Sequence, residues 1–204
     1  MRRFAEIYGL TLALLLLASP THAAPVEFFA TLNGANETPV PTGSPGTGFA
    51  DVTFDPVAHT LHVHITFSGL FPTTSTGAVS GTTASHIHCC GLQTLTLIVA
   101  TTTPTFPNFP MGVTSGTYDM SFDTSLSSTY NPAFVTMFPS VSAAETALFN
   151  GMVAGASYLN IHTTAFPGGE IRGPLLTPEP GTLMLLGLGL SGLAHRLWRK
   201  RRST

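Results

Sequence analysis

His86 and His88 stand two residues apart in Ser85-His86-Ile87-His88. On a strand, side chains at i and i+2 point to the same face. Two imidazoles on one face can give two nitrogens to one metal ion. His162 lies on a second candidate strand, and Cys89 and Cys90 follow the pair directly. Zinc and copper accept His and Cys ligands, so His86, His88 and His162 are the candidate metal ligands. No further complete ligand set stands at comparable spacing. The competing reading is structural: the imidazoles hydrogen-bond neighbouring loops and fix one end of the fold. His62 and His64 share the i, i+2 spacing, but they alternate with apolar residues and read as a solvated strand face.

Cys89 and Cys90 are the only cysteines. Adjacent cysteines can close a vicinal disulfide, although a Cα spacing of ~3.8 Å lies below the usual disulfide range. Free thiols, metal ligation and an intermolecular bridge stay open for them. Arg172 and Glu170, two apart, would point the same way on one strand. The structural reading pairs Arg172 with an acid across the sheet or with loop carbonyls; the alternative is an anion-binding residue. No Gly-x-Ser-x-Gly elbow is present for nucleophilic catalysis, and no EF-hand pattern for calcium. Asp119 and Asp123 are four apart and on a strand only share a face. The expectation is a protein that is not an enzyme.

Charge divides the chain into three parts. Of 204 residues only 9% are charged, against roughly 25% in an average globular protein. Hydrophobic residues make up 43%, which argues against disorder. The cations sit at the ends: Arg2 and Arg3, then Arg196, Arg199, Lys200, Arg201 and Arg202. Between Ala24 and Thr177 only Arg172 faces Glu27, Glu37, Asp51, Asp55, Asp119, Asp123, Glu145 and Glu170, a charge of −7. Such a domain has almost nothing to meet phosphates with, which excludes nucleic acid as a partner.

The elements that must position the histidines are strands. In His59–Ser68, Leu61, Val63, Ile65 and Phe67 alternate with His62, His64 and Thr66. Further strands are expected over Val26–Leu32, Gly48–Asp55, Ala84–His88, Leu95–Thr101, Gly116–Asp123, Ser157–Thr163 and Glu170–Leu176. Gly, Pro, Ser and Thr clusters separate them, which predicts an all-β, antiparallel β-sandwich. One short helix is expected, with Ser142 as N-cap, Glu145 closing a capping box and Gly151 as the left-handed stop. A second short turn can start at Asn131-Pro132.

The ends read as addresses. Met1-Arg2-Arg3, an apolar run from Leu10 to Ala18 and small residues to Ala23 predict a signal peptide over 1–23. The central domain is expected over 24–176 and a sorting or anchor segment over 177–204. That last segment is a proline-rigidified spacer, an apolar helix from Leu183 to Ala194 and a basic stop.

Three resemblances follow. Pro178-Glu179-Pro180-Gly181-Thr182, the Leu/Gly-rich helix and the terminal Arg/Lys cluster resemble the PEP-CTERM sorting signal of Gram-negative bacteria. This implies an exosortase-type membrane protease as partner, cleavage near Pro178, Glu179 and Pro180, and transient contact with the membrane. It implies delivery to the cell envelope, outer surface or extracellular matrix. The middle resembles the CHRD domain, the module first described in chordin. Ala30–Pro39, Phe67-Ser68-Gly69-Leu70 with Ser85–His88, Tyr158–Thr163 and Pro167–Gly173 carry that likeness. It implies a β-sandwich-like, non-catalytic extracellular module; Cys89-Cys90 departs from its pattern. The His-Ile-His element is also similar to the His-x-His of copper–zinc superoxide dismutases. The functional expectation is an exported module with a structural or adhesive role, its partners exopolysaccharide or surface proteins. The alternative is a zinc- or copper-binding β-sandwich protein.

Overall fold

A computed structural model describes residues 24–92 and 94–178. The expected signal peptide, 1–23, and the expected C-terminal apolar helix lie outside them. Eight strands form one antiparallel sheet: β1 Val26–Asn33, β2 Thr47–Asp55, β3 Thr60–Ser68, β4 Thr82–Cys89, β5 Ile98–Val99, β6 Gly116–Asp123, β7 Ser157–Thr163 and β8 Ile171–Pro174. Their order is β5-β4-β7-β8-β1-β2-β3-β6. The antiparallel all-β architecture is thus present, its two halves joined as one continuous sheet wrapped into a half-barrel.

Period-2 alternation builds the inner face. Phe28, Ala30 and Leu32 of β1 are buried, as are Ala50, Val52 and Phe54 of β2 and Leu61, Val63, Ile65 and Phe67 of β3. The register stacks them in rows: Phe28 opposite Val52 and then Val63, Ala30 opposite Ala50 and then Ile65. β6 continues the rows with Tyr118 opposite Ile65 and Phe122 opposite Leu61.

The chain between β5 and β6 closes the seam between the two halves. Phe106 N–H donates to the Ser85 carbonyl of β4, 2.9 Å, and Gly112 N–H to that of Thr82, 2.8 Å. On the other side Tyr118 Oη–H donates to the Pro107 carbonyl, 3.0 Å. The Phe106 ring packs 5.6 Å from that of Tyr118 and 5.5 Å from that of Phe122.

Two helices follow. α1, Pro132–Val135, starts at Asn131 as expected; the Asn131 side chain accepts from Ala133 N–H. α2, Val141–Val153, buries Ala144, Glu145, Leu148 and Met152. Its N-cap is Ser140 rather than Ser142: Ser140 is extended, and its Oγ accepts from Ala143 N–H at 3.2 Å. Glu145 makes no capping box because it faces inward, where it accepts from the Thr124 hydroxyl and meets His59 Nδ1 at 2.9 Å. The left-handed glycine past the helix is Gly155, φ +65°, rather than Gly151. The expected strand Leu95–Thr101 shrinks to Ile98–Val99 because its first half turns out to solvent, with Leu95 exposed.

Cys89 and Cys90 are joined by a disulfide that lies on α2. Gly151 sits inside the helix at that contact. A Cβ there would overlap Cys89 Sγ and stand 2.9 Å from Cys90 Sγ. Inside a helix, Gly→Ala ordinarily stabilises by about 1 kcal/mol. Here the overlap wins, and Gly151→Ala is expected to lower stability by about 1–3 kcal/mol. A reduced urea midpoint at unchanged slope is the readout; a raised midpoint would refute the contact.

Candidate functional site

β4 and β7 are buried along nearly their whole length, unlike the alternating β1 to β3. Their inner face carries Ile87, Leu159 and Ile161 into the core. Their outer face carries polar and aromatic groups, and loops cover it. The register places Ala84 opposite His162, His86 opposite Asn160 and His88 opposite Tyr158; β8 adds Arg172 opposite Asn160. Three neighbouring rows of the sheet's outer face therefore bring three imidazoles together.

One ring nitrogen from each of His86, His88 and His162 lies within 4.8 Å of the other two. His162 Nε2 is 3.0 Å from His86 Nε2 and 3.1 Å from Asn160 Oδ1. His88 Nδ1 is 2.6 Å from the Leu97 carbonyl, and His162 Nδ1 is 2.9 Å from that of Pro167. A carbonyl only accepts, so both rings carry their proton on Nδ1 and turn an Nε2 lone pair inward. His88 Nε2 is buried with no partner at normal hydrogen-bond distance, although the Asn160 side chain is near enough to favour a proton on that ring. His86 Nδ1 has none at normal distance either, although the Pro104 carbonyl is near enough to favour a proton on that ring. His86 is 6% exposed and His88 5%. Burial pushes the pKa of His86 down to about 3, helped by the two neighbouring rings, and that of His88 down to about 4. Burial also lowers His162. All three are neutral at pH 7.

The surroundings hold the rings still. His88 stacks on Tyr158, ring centroids 4.6 Å apart, and the Arg172 guanidinium lies 4.4 Å from the centre of the same Tyr158 ring. Arg172 Nε donates to the Asn36 carbonyl, 2.5 Å, and stands 4.0 Å from Glu37 Oε2. Arg172 thus meets both an acid and a loop carbonyl, while Glu170 lies just before β8 and serves other partners. Sequence reasoning missed Tyr158 and Asn160, although both share His162's parity on β7. It also missed Glu37 as a site residue, although the Ala30–Pro39 stretch contains it.

Glu37 is 4% exposed. Burial raises its pKa to about 7 against the attraction of Arg172 and a backbone hydrogen bond. Between pH 4.5 and about 7 the folded chain therefore binds a proton at Glu37 that the unfolded chain has released. Its contribution to stability is full below 4.5 and is lost as pH rises through 7, by about 1.4 kcal/mol per unit. Glu37→Gln is expected to cancel that slope. Parent-minus-variant stability from urea unfolding at several pH values measures it, and a pH-independent difference would exclude it.

His62 and His64 lie elsewhere, on the outer face of β3. His62 Nε2 is 3.0 Å from Asp119 Oδ1 and His64 Nδ1 2.9 Å from Asp119 Oδ2. All three side chains are well exposed, and the two imidazoles hold Asp119 below the usual carboxylate range.

The family model of the CHRD domain matches residues 28–175, all of the sheet described above but the first two residues of β1. The chain belongs to the CHRD domain family. A second model, the PEP-CTERM protein-sorting motif, matches residues 176–202. The CHRD chain is therefore exported by the exosortase route to a cell-surface or extracellular location in a Gram-negative bacterium. No curated protein and no solved structure matches it. In this CHRD domain the Ser85–His88 and Tyr158–Thr163 stretches are the paired β4 and β7, and Gly169 and Arg172 hold the loop around Glu37.

Proposed function

We propose that this protein is a non-catalytic module of the cell envelope or extracellular matrix with a structural or adhesive role. One observation carries the reading: the folded domain runs directly into the sorting motif. β8 ends at Pro174, and Leu176, the motif's first matched residue, pairs with Phe29 of β1. The sorting segment thus leaves from a strand in the middle of the sheet, an arrangement that suits display of the whole domain. Ser85 and the two cysteines are not free nucleophiles: Ser85 Oγ–H donates to the Asn160 carbonyl, 2.8 Å, and both sulfurs are in the disulfide. Exopolysaccharide or a surface protein is the partner of such a module.

Fractionation of the native organism tests this. The protein is expected in the envelope or matrix fraction, and deleting its gene is expected to loosen cell–matrix cohesion. Replacing Pro178, Glu179 and Pro180 by Ala is expected to leave it unprocessed in the membrane. A freely soluble protein bound to neither cells nor matrix would overturn the reading.

A further inference from the structure

We infer that His86, His88 and His162 form a binding site for one divalent transition-metal ion, zinc or copper, on the outer face of β4 and β7. The inference does not depend on the adhesive role.

The argument is one of proton placement. His88 and His162 each donate Nδ1–H to a backbone carbonyl, Leu97 and Pro167. That contact fixes the tautomer and aims Nε2 inward, the arrangement that metal-ligating histidines ordinarily have. His86 brings a third Nε2 to 3.0 Å from that of His162. Lone pairs converging at this distance repel unless one nitrogen carries a proton or a cation lies between them. A proton on His86 Nε2 settles only part of the problem. It turns the Nδ1 lone pair of His86 toward the Pro104 carbonyl and leaves His88 Nε2 buried, with only the Asn160 side chain beside it and at no normal hydrogen-bond distance. A cation settles all of it. His86 then carries its proton on Nδ1, facing Pro104, and all three Nε2 atoms become ligands.

The dimensions fit. Metal–nitrogen bonds of about 2.0–2.1 Å in a tetrahedral centre place the nitrogens roughly 3.3 Å apart. The widest separation here, at most 4.8 Å, closes by at most about 1.5 Å, within the reach of side-chain rotation. Three imidazoles with no carboxylate select zinc or copper over magnesium or calcium. The two sulfurs take no part while paired as a disulfide. His162, the least buried of the three, marks the side from which an ion enters.

The exported protein, produced without a histidine tag and stripped with chelator, is titrated with Zn²⁺ or Cu²⁺ and followed by calorimetry and elemental analysis. One equivalent is expected to bind with Kd below about 1 µM. The melting temperature is expected to rise by roughly 5–10 °C at a hundredfold excess over Kd. His162→Ala and His88→Ala are expected to weaken binding at least about 100-fold. His162→Ala is the decisive variant because its side chain is partly exposed, and circular dichroism checks that it folds. The pair His62→Ala and His64→Ala controls for the exposed cluster at Asp119 and is expected to change nothing. For Cu²⁺, electron paramagnetic resonance is expected to show coupling to imidazole nitrogens in the parent. Absence of saturable binding, binding that survives His162→Ala, or binding abolished by the His62/His64 pair would each overturn the site.

Discussion

Glu170→Ala is expected to remove about 3–5 kcal/mol of stability, a large share of the roughly 5–15 kcal/mol that an ordinary domain has. Glu170 is 0% exposed. Its Oε1 accepts from Ser44 Oγ–H, 2.6 Å, and from Phe71 N–H, 2.7 Å; its Oε2 accepts from Thr163 Oγ–H, 2.6 Å. Its own carbonyl accepts from Thr42 Oγ–H, 2.8 Å. One carboxylate thus ties the loop before β2, the loop after β3 and the end of β7. Alanine would leave three donors facing an apolar methyl group in a buried space, each unsatisfied donor costing about 1–3 kcal/mol. Glu170→Gln keeps an acceptor and forces only the Thr163 hydroxyl to turn, so a loss of about 1–2 kcal/mol is expected. Urea unfolding measures both, and an alanine variant within 1 kcal/mol of the parent would show that the carboxylate organises nothing.

The second large effect belongs to the seam. Phe106 is fully buried between β4 and β6, and truncation to alanine is expected to cost about 3–5 kcal/mol. A cavity elsewhere in the core would give a similar figure, so location matters. The Phe106 segment joins the two halves of the sheet, and its amide is bonded to β4. Hydrogen exchange is therefore expected to accelerate first at Ser85 and Ile87 and along β6, while β1 and β2 keep their protection. Uniform acceleration across all strands would refute the seam.

Strands with one wet face were legible residue by residue. β6 has the expected bounds, and β3 differs by one residue. Their period follows directly from burying one side of the backbone. α2 was legible as an element but not at its ends, because Ser140 and Ser142 offer the same cap chemistry. The choice fell to Glu145, whose carboxylate is held inside by Thr124 and His59. That contact spans 86 residues and leaves no local trace. β5 was over-read for the same reason: Leu95 and Leu97 look like strand residues, yet the Leu97 carbonyl is turned to His88. The i, i+2 spacing put His86 and His88 on one face, but their meeting with His162 depends on the β4–β7 register. Only the folded sheet sets that register.

The pairing of Phe29 with Leu176, by two mutual backbone hydrogen bonds of 2.8 and 3.0 Å, brings the two extremities of the domain side by side. A short linker could therefore join them, and new termini opened in the surface turn around Ser75 to Gly77 would give a circular permutant with the same sheet. The same adjacency suits the module to grafting: it can be spliced into an exposed turn of a host protein without prising the host's ends apart.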